Sequence, residues 1–163
     1  VLELVVEGLP YGATQEEVER FFAEAGPVEV LIPRDPEGEG KGMAVARFAG
    51  EAALRRGLLL DRRELGGRWL RVERAVVPYA AAATLKVRGF PYGLFPDDLR
   101  DLFAPCGAVA DVRVPIIKYG RPAIAYVVFE DRAGAEAALA ALDGAAVGGR
   151  RLEVFPHCKA LPP

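Results

Sequence analysis

One histidine and two cysteines among 163 residues leave little for metal or nucleophile chemistry. The histidine, His157, stands beside Cys158 in what reads as a terminal tail. A lone His-Cys pair supplies half the ligands of a structural zinc site. A Ser/His/Asp set, metal-ligand spacing and a Gly-Lys-Ser/Thr phosphate loop are all missing. Gly12 and Gly93 lie in strand-to-helix turns without a Gly-x-Gly-x-x-Gly context, and Asp97 and Asp98 read as first-turn helix residues favoured by the dipole. The expectation is a non-enzyme that needs no metal and no cofactor. Cys106 and Cys158 fall at unrelated places in the chain, which argues against a disulfide framework and fits a reducing compartment. Apolar runs such as Leu58–Leu60 and Ala123–Phe129 are too short to cross a bilayer, so no membrane association is expected. No secretory signal is visible. The chain opens on Val1 rather than Met, which suggests trimming and leaves a removed targeting segment, and with it an organellar location, open.

A charge excess of one sign is missing too. The chain carries −2 overall. Residues 1–78 hold 11 Lys and Arg against 14 Asp and Glu, and residues 79–163 hold 10 against 9. Neither half has the basic balance of a protein that holds nucleic acid by charge alone, so such binding would rest on a local patch. The hydrophobic fraction of 52% is that of a globular chain.

What is present is a repeat. Gly8-Leu-Pro-Tyr-Gly12 returns as Gly89-Phe-Pro-Tyr-Gly93. Leu4 and Leu85, Val6 and Val87, Phe22 and Phe103, Gly26 and Gly107, and Phe48 and Phe129 keep the same offset of 81. The offset slips by one near the end of each copy, at Leu70 and Leu152 and at Val72 and Val154. One fold is used twice, over residues 1–75 and 84–157, joined by 76–83 and followed by a tail, 158–163.

In the first copy, Leu2–Glu7 alternates as a strand, and Thr14-Gln-Glu-Glu17 is a capping box opening a helix that ends near Gly26. Strands follow at Val28–Ile32 and Met43–Phe48, then a helix over Glu51–Leu60, a Gly66-Gly67 turn and a strand over Trp69–Glu73. The second copy repeats the order with strand Leu85–Arg88, helix Pro96–Ala104, strands Asp111–Val114 and Ala123–Phe129, helix Arg132–Leu142 capped by Asp131, and strand Arg151–Phe155. The order βαββαβ, twice, predicts an α+β chain of two ferredoxin-like domains. Each is a four-stranded antiparallel sheet with two helices on one face.

The third strand makes the likeness specific. Lys41-Gly-Met-Ala-Val-Ala-Arg-Phe48 resembles the octamer motif of the RNA recognition motif (RRM). Leu4-Val-Val-Glu-Gly-Leu9 and Leu85-Lys-Val-Arg-Gly-Phe90 resemble its companion hexamer, and Gly67–Val72 and Gly149–Val154 the fourth-strand ending. The likeness covers essentially the whole chain as two RRMs in tandem. The first copy is most similar to the RRM of translation initiation factors 4B and 4H. The Gly-x-Pro-Tyr-Gly turns resemble the quasi-RRMs of the heterogeneous nuclear ribonucleoproteins F and H, which would make Tyr11, Tyr92 and the loop Pro33–Lys41 candidates for loop contacts. A turn Tyr that simply covers the end of the core is the plainer reading.

The resemblance implies a sheet face on which aromatics stack on bases. In the first copy those positions fall on Val5, Met43 and Val45, none aromatic, and alternation adds Glu7, Leu31, Arg47, Trp69 and Arg71. An apolar face without stackers fits a covering peptide, partner or neighbouring domain, so Val5, Leu31, Met43, Val45 and Trp69 are protein-interaction candidates. Lys41, Arg47 and Arg71 are candidates for RNA contact there. In the second copy the positions fall on Lys86, Ile124 and Tyr126, and alternation adds Arg88, Arg113, Arg151, Glu153 and Phe155. One aromatic among cations is a plausible single-strand site, with a solvated charged face as the bland alternative. Pro122, with Arg121 beside it, stands where the octamer's basic residue belongs. The eight linker residues reach at most about 28 Å, which keeps the domains close. The expected function is single-stranded RNA binding mainly through the second domain, in mRNA processing, splicing or translation, in the nucleus or cytoplasm. The rival is a protein-interaction module within a ribonucleoprotein complex.

Overall fold

A computed structural model of the chain describes residues 1–26, 28–91, 93–115 and 124–162. It divides into two compact units. The first is Val1–Tyr79 together with Cys158–Ala160, and the second runs from Ala80 to His157 and takes up the last residues from Leu161.

In the first unit the elements run β1 (Glu3–Glu7), α1 (Gln15–Phe21), β2 (Glu29–Leu31), β3 (Met43–Arg47), α2 (Glu51–Leu58), β4 (Glu64–Leu65), β5 (Arg68–Trp69) and β6 (Arg71–Arg74). The antiparallel sheet has the order β2-β3-β1-β6. Strand alternation sends Leu4 and Val6 to the helix side, where they join Val18, Phe22, Phe48 and Leu54 in one core. Phe22 and Phe48 meet edge to face, ring centroids 5.7 Å apart, an arrangement that adds about 0.5–1.5 kcal/mol to area burial. The expected cap of α1 forms: Thr14 Oγ1 accepts the Glu17 amide at 3.2 Å, satisfying one of the helix's orphan donors.

The second unit repeats this with β7 (Thr84–Arg88), α3 (Pro96–Phe103), β8 (Val109–Arg113), β9 (Ile124–Phe129), α4 (Arg132–Leu142), β10 (Ala146–Val147), β11 (Arg150–Arg151) and β12 (Glu153–His157). Its sheet order is β12-β7-β9-β8, and Leu85, Val87, Leu99, Phe103, Val127 and Phe129 build the core. Asp131 caps α4 by accepting the Gly134 amide at 3.0 Å.

Two boundaries differ from the sequence expectation for the same reason. The fourth strand was expected to open at Trp69 and at Arg151. The chain instead forms a small separate hairpin in each copy, β4 with β5 and β10 with β11, and enters the main sheet only at Arg71 and Glu153. The two-glycine turns Gly66-Gly67 and Gly148-Gly149 have positive φ throughout, the backbone of a tight hairpin turn. They pair their own flanks before the sheet can. In the linker a short 3₁₀ turn covers Tyr79–Ala81.

Candidate functional site

The register of the second sheet sets its open face. Lys86 lies opposite both Tyr126 and Phe155, Arg88 opposite Ile124 and Glu153, and Arg113 opposite Tyr126. With side chains alternating across the pleat, Lys86, Arg88, Arg113, Ile124, Tyr126 and Phe155 share the side away from the helices. The structure thus brings together six of the seven second-copy candidates. The Lys86 ammonium and the Arg88 guanidinium each lie 5.2 Å from the Phe155 ring centroid, cation–π distances that hold both cations against an aromatic. Arg88 also reaches Glu153 at 3.4 Å, and Arg113 reaches Asp111 at 3.0 Å. The hydrogen bond from Arg113 holds the Asp111 carboxyl below its ordinary value.

The seventh candidate, Arg151, is corrected. It belongs to the β10–β11 hairpin rather than the sheet, and its Nε donates to the Gly144 carbonyl at 3.3 Å. His157 is corrected in the other direction. It is no tail residue but the last residue of β12, opposite Thr84, and its ring meets Tyr126 at 4.8 Å, edge on. Pro156 is what hid it, since proline reads as a strand stop. β12 is an edge strand, where a missing N–H can face away from the ladder. Carrying the alternation of Glu153 and Phe155 through Pro156 would have placed His157 on this face. The face therefore carries the half-buried rings of Tyr126 and Phe155, with the buried ring of His157 packed against Tyr126.

The first sheet presents a different face. Val5 stands opposite Val45, Glu7 opposite Met43 and Arg71, Glu3 opposite Arg47, and Leu31 opposite Val45. Val5, Met43 and Val45 are 3–6% exposed, as closed to water as a core. Around them stand Glu7, which alternation placed on this face, and two further carboxylates, Glu3 and Glu73. Glu3, itself 3% exposed, accepts from Arg47 at 3.1 Å and from the Tyr79 amide at 2.7 Å. Lys159 pairs with Glu7 and with Glu73, and the amides of Val76 and Val77 donate to the Cys158 carbonyl. The segments flanking the sheet, 75–79 and 158–160, are thus tied to its open side by hydrogen bonds and ion pairs of this same unit. Arg47, an RNA candidate, is engaged by Glu3 and by Glu29, and Arg71 by Glu73 at 3.0 Å. Leu31, on the edge strand, is 45% exposed. Trp69 is corrected: it sits in β5 of the separate hairpin, not in the sheet, and is 70% exposed.

Lys41 lies just before β3, and Tyr11 stands exposed in the β1–α1 turn. The loop 33–41 folds on itself, Asp35 Oδ1 accepting the amides of Glu37 and Glu39 at 2.9 Å each. Tyr92, Arg121 and Pro122 lie outside the described residues. Among the described residues no group of three or more His, Cys, Asp or Glu is placed to hold a metal ion. Chemically, the second face offers aromatic rings beside ammonium and guanidinium groups. Such a surface suits a planar base next to a phosphate.

Comparison with known proteins agrees in architecture. A family model described as RNA recognition motif matches residues 4–71 and again 85–153. The chain is 26% identical over 180 residues to Probable RNA-binding protein 19 of Homo sapiens, covering 93% of this chain and 19% of that protein. It is 42% identical over 73 residues to Serine/arginine-rich splicing factor 8 of Homo sapiens, covering 44% of this chain and 26% of that protein. The chain thus spans about a fifth and about a quarter of these relatives. Among solved structures, the Sex-lethal RNA recognition domains 1 and 2 from Drosophila melanogaster align over 96% of this chain and 99% of that one, at 26% identity and a TM-score of 0.44.

Proposed function

The chain belongs to the RNA recognition motif family, with two copies in tandem, and from that premise we propose that it binds single-stranded RNA mainly through the sheet face of its second copy. The observation that carries this reading is the contrast between the two faces. The second sets Lys86, Arg88 and Arg113 around Tyr126 and Phe155. The first closes its apolar centre and rings it with Glu3, Glu7 and Glu73. The second face sets its three cations against Asp111 and Glu153, while on the first Arg47, Arg71 and Lys159 are matched by Glu3, Glu7 and Glu73, so a phosphate chain is drawn more to the second. A base stacked on Tyr126 or Phe155 contributes about 1–3 kcal/mol. The protein acts as a binding module with no catalytic step, in mRNA processing, splicing or translation, in the nucleus or cytoplasm. The likeness of the first copy to the RRM of translation initiation factors 4B and 4H, and the fainter likeness of the joint and second copy to tandem-RRM splicing and paraspeckle proteins, belong to this reading and leave the process open among these.

The test is fluorescence anisotropy with labelled single-stranded RNAs at moderate salt. Tyr126→Ala combined with Arg88→Ala should weaken binding at least about 10-fold, the loss of one stacked base and one phosphate contact. Unchanged affinity for every RNA tested, with the fold intact by circular dichroism, overturns the reading.

A second reading concerns the first copy alone and rests on Leu31, an exposed apolar residue on an edge strand beside a buried apolar centre. There the first copy docks a protein partner along β2. Leu31→Glu should then abolish co-purification of that partner while leaving RNA crosslinking unchanged; loss of crosslinking instead assigns the edge to RNA.

A further inference from the structure

Superposing the two copies by sequence isolates one place where the first departs from the second for no reason the fold requires. At the offset of 82, the hairpin residues Arg62, Arg63, Trp69 and Arg71 correspond to Gly144, Ala145, Arg151 and Glu153. Arg62 has φ 67°, and among the described residues it is the sole non-glycine with positive φ. Its counterpart Gly144 has φ 82°. A glycine adopts that backbone freely, while an L side chain there brings Cβ against the following carbonyl. The second copy thus shows the easy solution, and the first carries an arginine in its place. Strained residues of this kind gather at functional sites, held by surroundings that over-determine them.

The surroundings here do so. Arg62 N donates to Leu70 O at 2.8 Å and Leu70 N to Arg63 O at 2.8 Å. Arg68 Nε ties the hairpin to the Gly8 carbonyl at 2.9 Å. On this anchored support Trp69, the chain's one tryptophan, is 70% exposed. Arg62, Trp69, Leu70 and Arg71 line a shallow cleft of about 620 Å³. Residues 61–73 carry Arg62, Arg63, Arg68 and Arg71 against Asp61, Glu64 and Glu73, an excess of one positive charge within an acidic copy. Arg62 pairs with Asp61 at 3.8 Å, Arg63 with Glu24 at 3.7 Å and Arg71 with Glu73 at 3.0 Å, exposed ion pairs that a phosphate can displace at little cost. A rigid indole standing in water beside these guanidinium groups matches a base with its flanking phosphates.

We propose that the β4–β5 hairpin of the first copy, with the adjoining start of β6, is a second single-stranded RNA contact at the margin of the closed sheet face, with a base stacked on Trp69 and adjacent phosphates on Arg62 and Arg71. This rests on the reading that the chain binds RNA, and it gives the first copy an RNA role that its closed sheet face does not supply.

Because Trp69 is the one tryptophan, its fluorescence reports on the site directly. The 163-residue chain is titrated with short homopolymeric RNAs of each base, each labelled for anisotropy, while indole emission is followed. The expected result is quenching that tracks binding, and affinity weakened roughly 5- to 150-fold by Trp69→Leu. Arg62→Gly installs the second copy's own solution, so it should fold at least as stably while losing affinity and lowering the slope of log K against log salt by about 0.7. RNA binding with unchanged indole emission, or with Trp69→Leu at wild-type affinity, overturns the hairpin contact and leaves the second-copy site standing. Absence of any RNA binding by the wild-type chain overturns both. Trp69→Leu that abolishes capture of a protein partner while RNA affinity is untouched overturns it in favour of protein docking.

Discussion

Glu51 and Arg74 form a two-pronged ion pair in the first unit, both guanidinium nitrogens 2.7 Å from the carboxylate oxygens. The pair joins the start of α2 to the end of β6, so it ties helix to sheet. The hydrogen bonds from Arg74 hold the Glu51 carboxyl down from 4.5 to about 2. A depressed carboxyl contributes stability that is fully present above its unfolded value and fades as pH falls through its folded one. Titration of the Glu51 side-chain carbon by NMR should give a midpoint near 2. In Arg74→Gln it should return towards 4.5, and the variant should lose the part of the acid sensitivity of unfolding that Glu51 contributes between those two values. A wild-type midpoint near 4.5 would show that the pair is not held in solution.

At the scale of elements, each copy docks its small hairpin on a glycine that follows the first strand. A Cβ on Gly8 would stand 2.9 Å from the Trp69 carbonyl, and one on Gly89 would stand 2.2 Å from the Arg151 carbonyl, with φ at +86° and +79°. Gly89→Ala should therefore cost about 2 kcal/mol or more, the left-handed backbone and a backbone clash acting together. Urea unfolding that follows the second copy should show it; a shift below about 0.5 kcal/mol would mean the hairpin moves aside freely. The repeated pentapeptides already marked these turns in the sequence, and the order and type of the main strands and helices were legible from apolar periodicity and caps. The hairpins were not. Gly66-Gly67 and Gly148-Gly149 announced a turn, but alternation alone cannot say whether the residues after it pair with the sheet or with the residues before it. Trp69 and Arg151 were consequently assigned to sheet faces they do not join, and His157 was cut off by a proline that an edge strand tolerates.

For the whole molecule, a net charge of −2 means that RNA affinity rests on a few contacts rather than on a general field. The second face contributes three cations, Lys86, Arg88 and Arg113. Each phosphate neutralised on a single strand adds about −0.7 to the slope of log K against log salt. If the second-copy face binds RNA as proposed, it should by itself give a slope of about −2, and Lys86→Ala should reduce it by about 0.7. Anisotropy titrations across salt concentrations measure this; a slope near zero would assign binding to stacking alone. The amino-acid sequence by itself determined the tandem repeat, the βαββαβ order, the two cores and, on the second face, Lys86, Arg88, Arg113, Tyr126 and Phe155, because periodicity and spacing are local properties of the chain. Tertiary structure decided the rest. It closed Val5, Met43 and Val45, turned Glu3 and Glu7 into partners of Arg47 and Lys159, added His157 to the second face and lifted Trp69 out of the first. Each of these depends on which segments meet across long stretches of chain, and charge or burial at such meetings is a property of the pair, not of either residue alone.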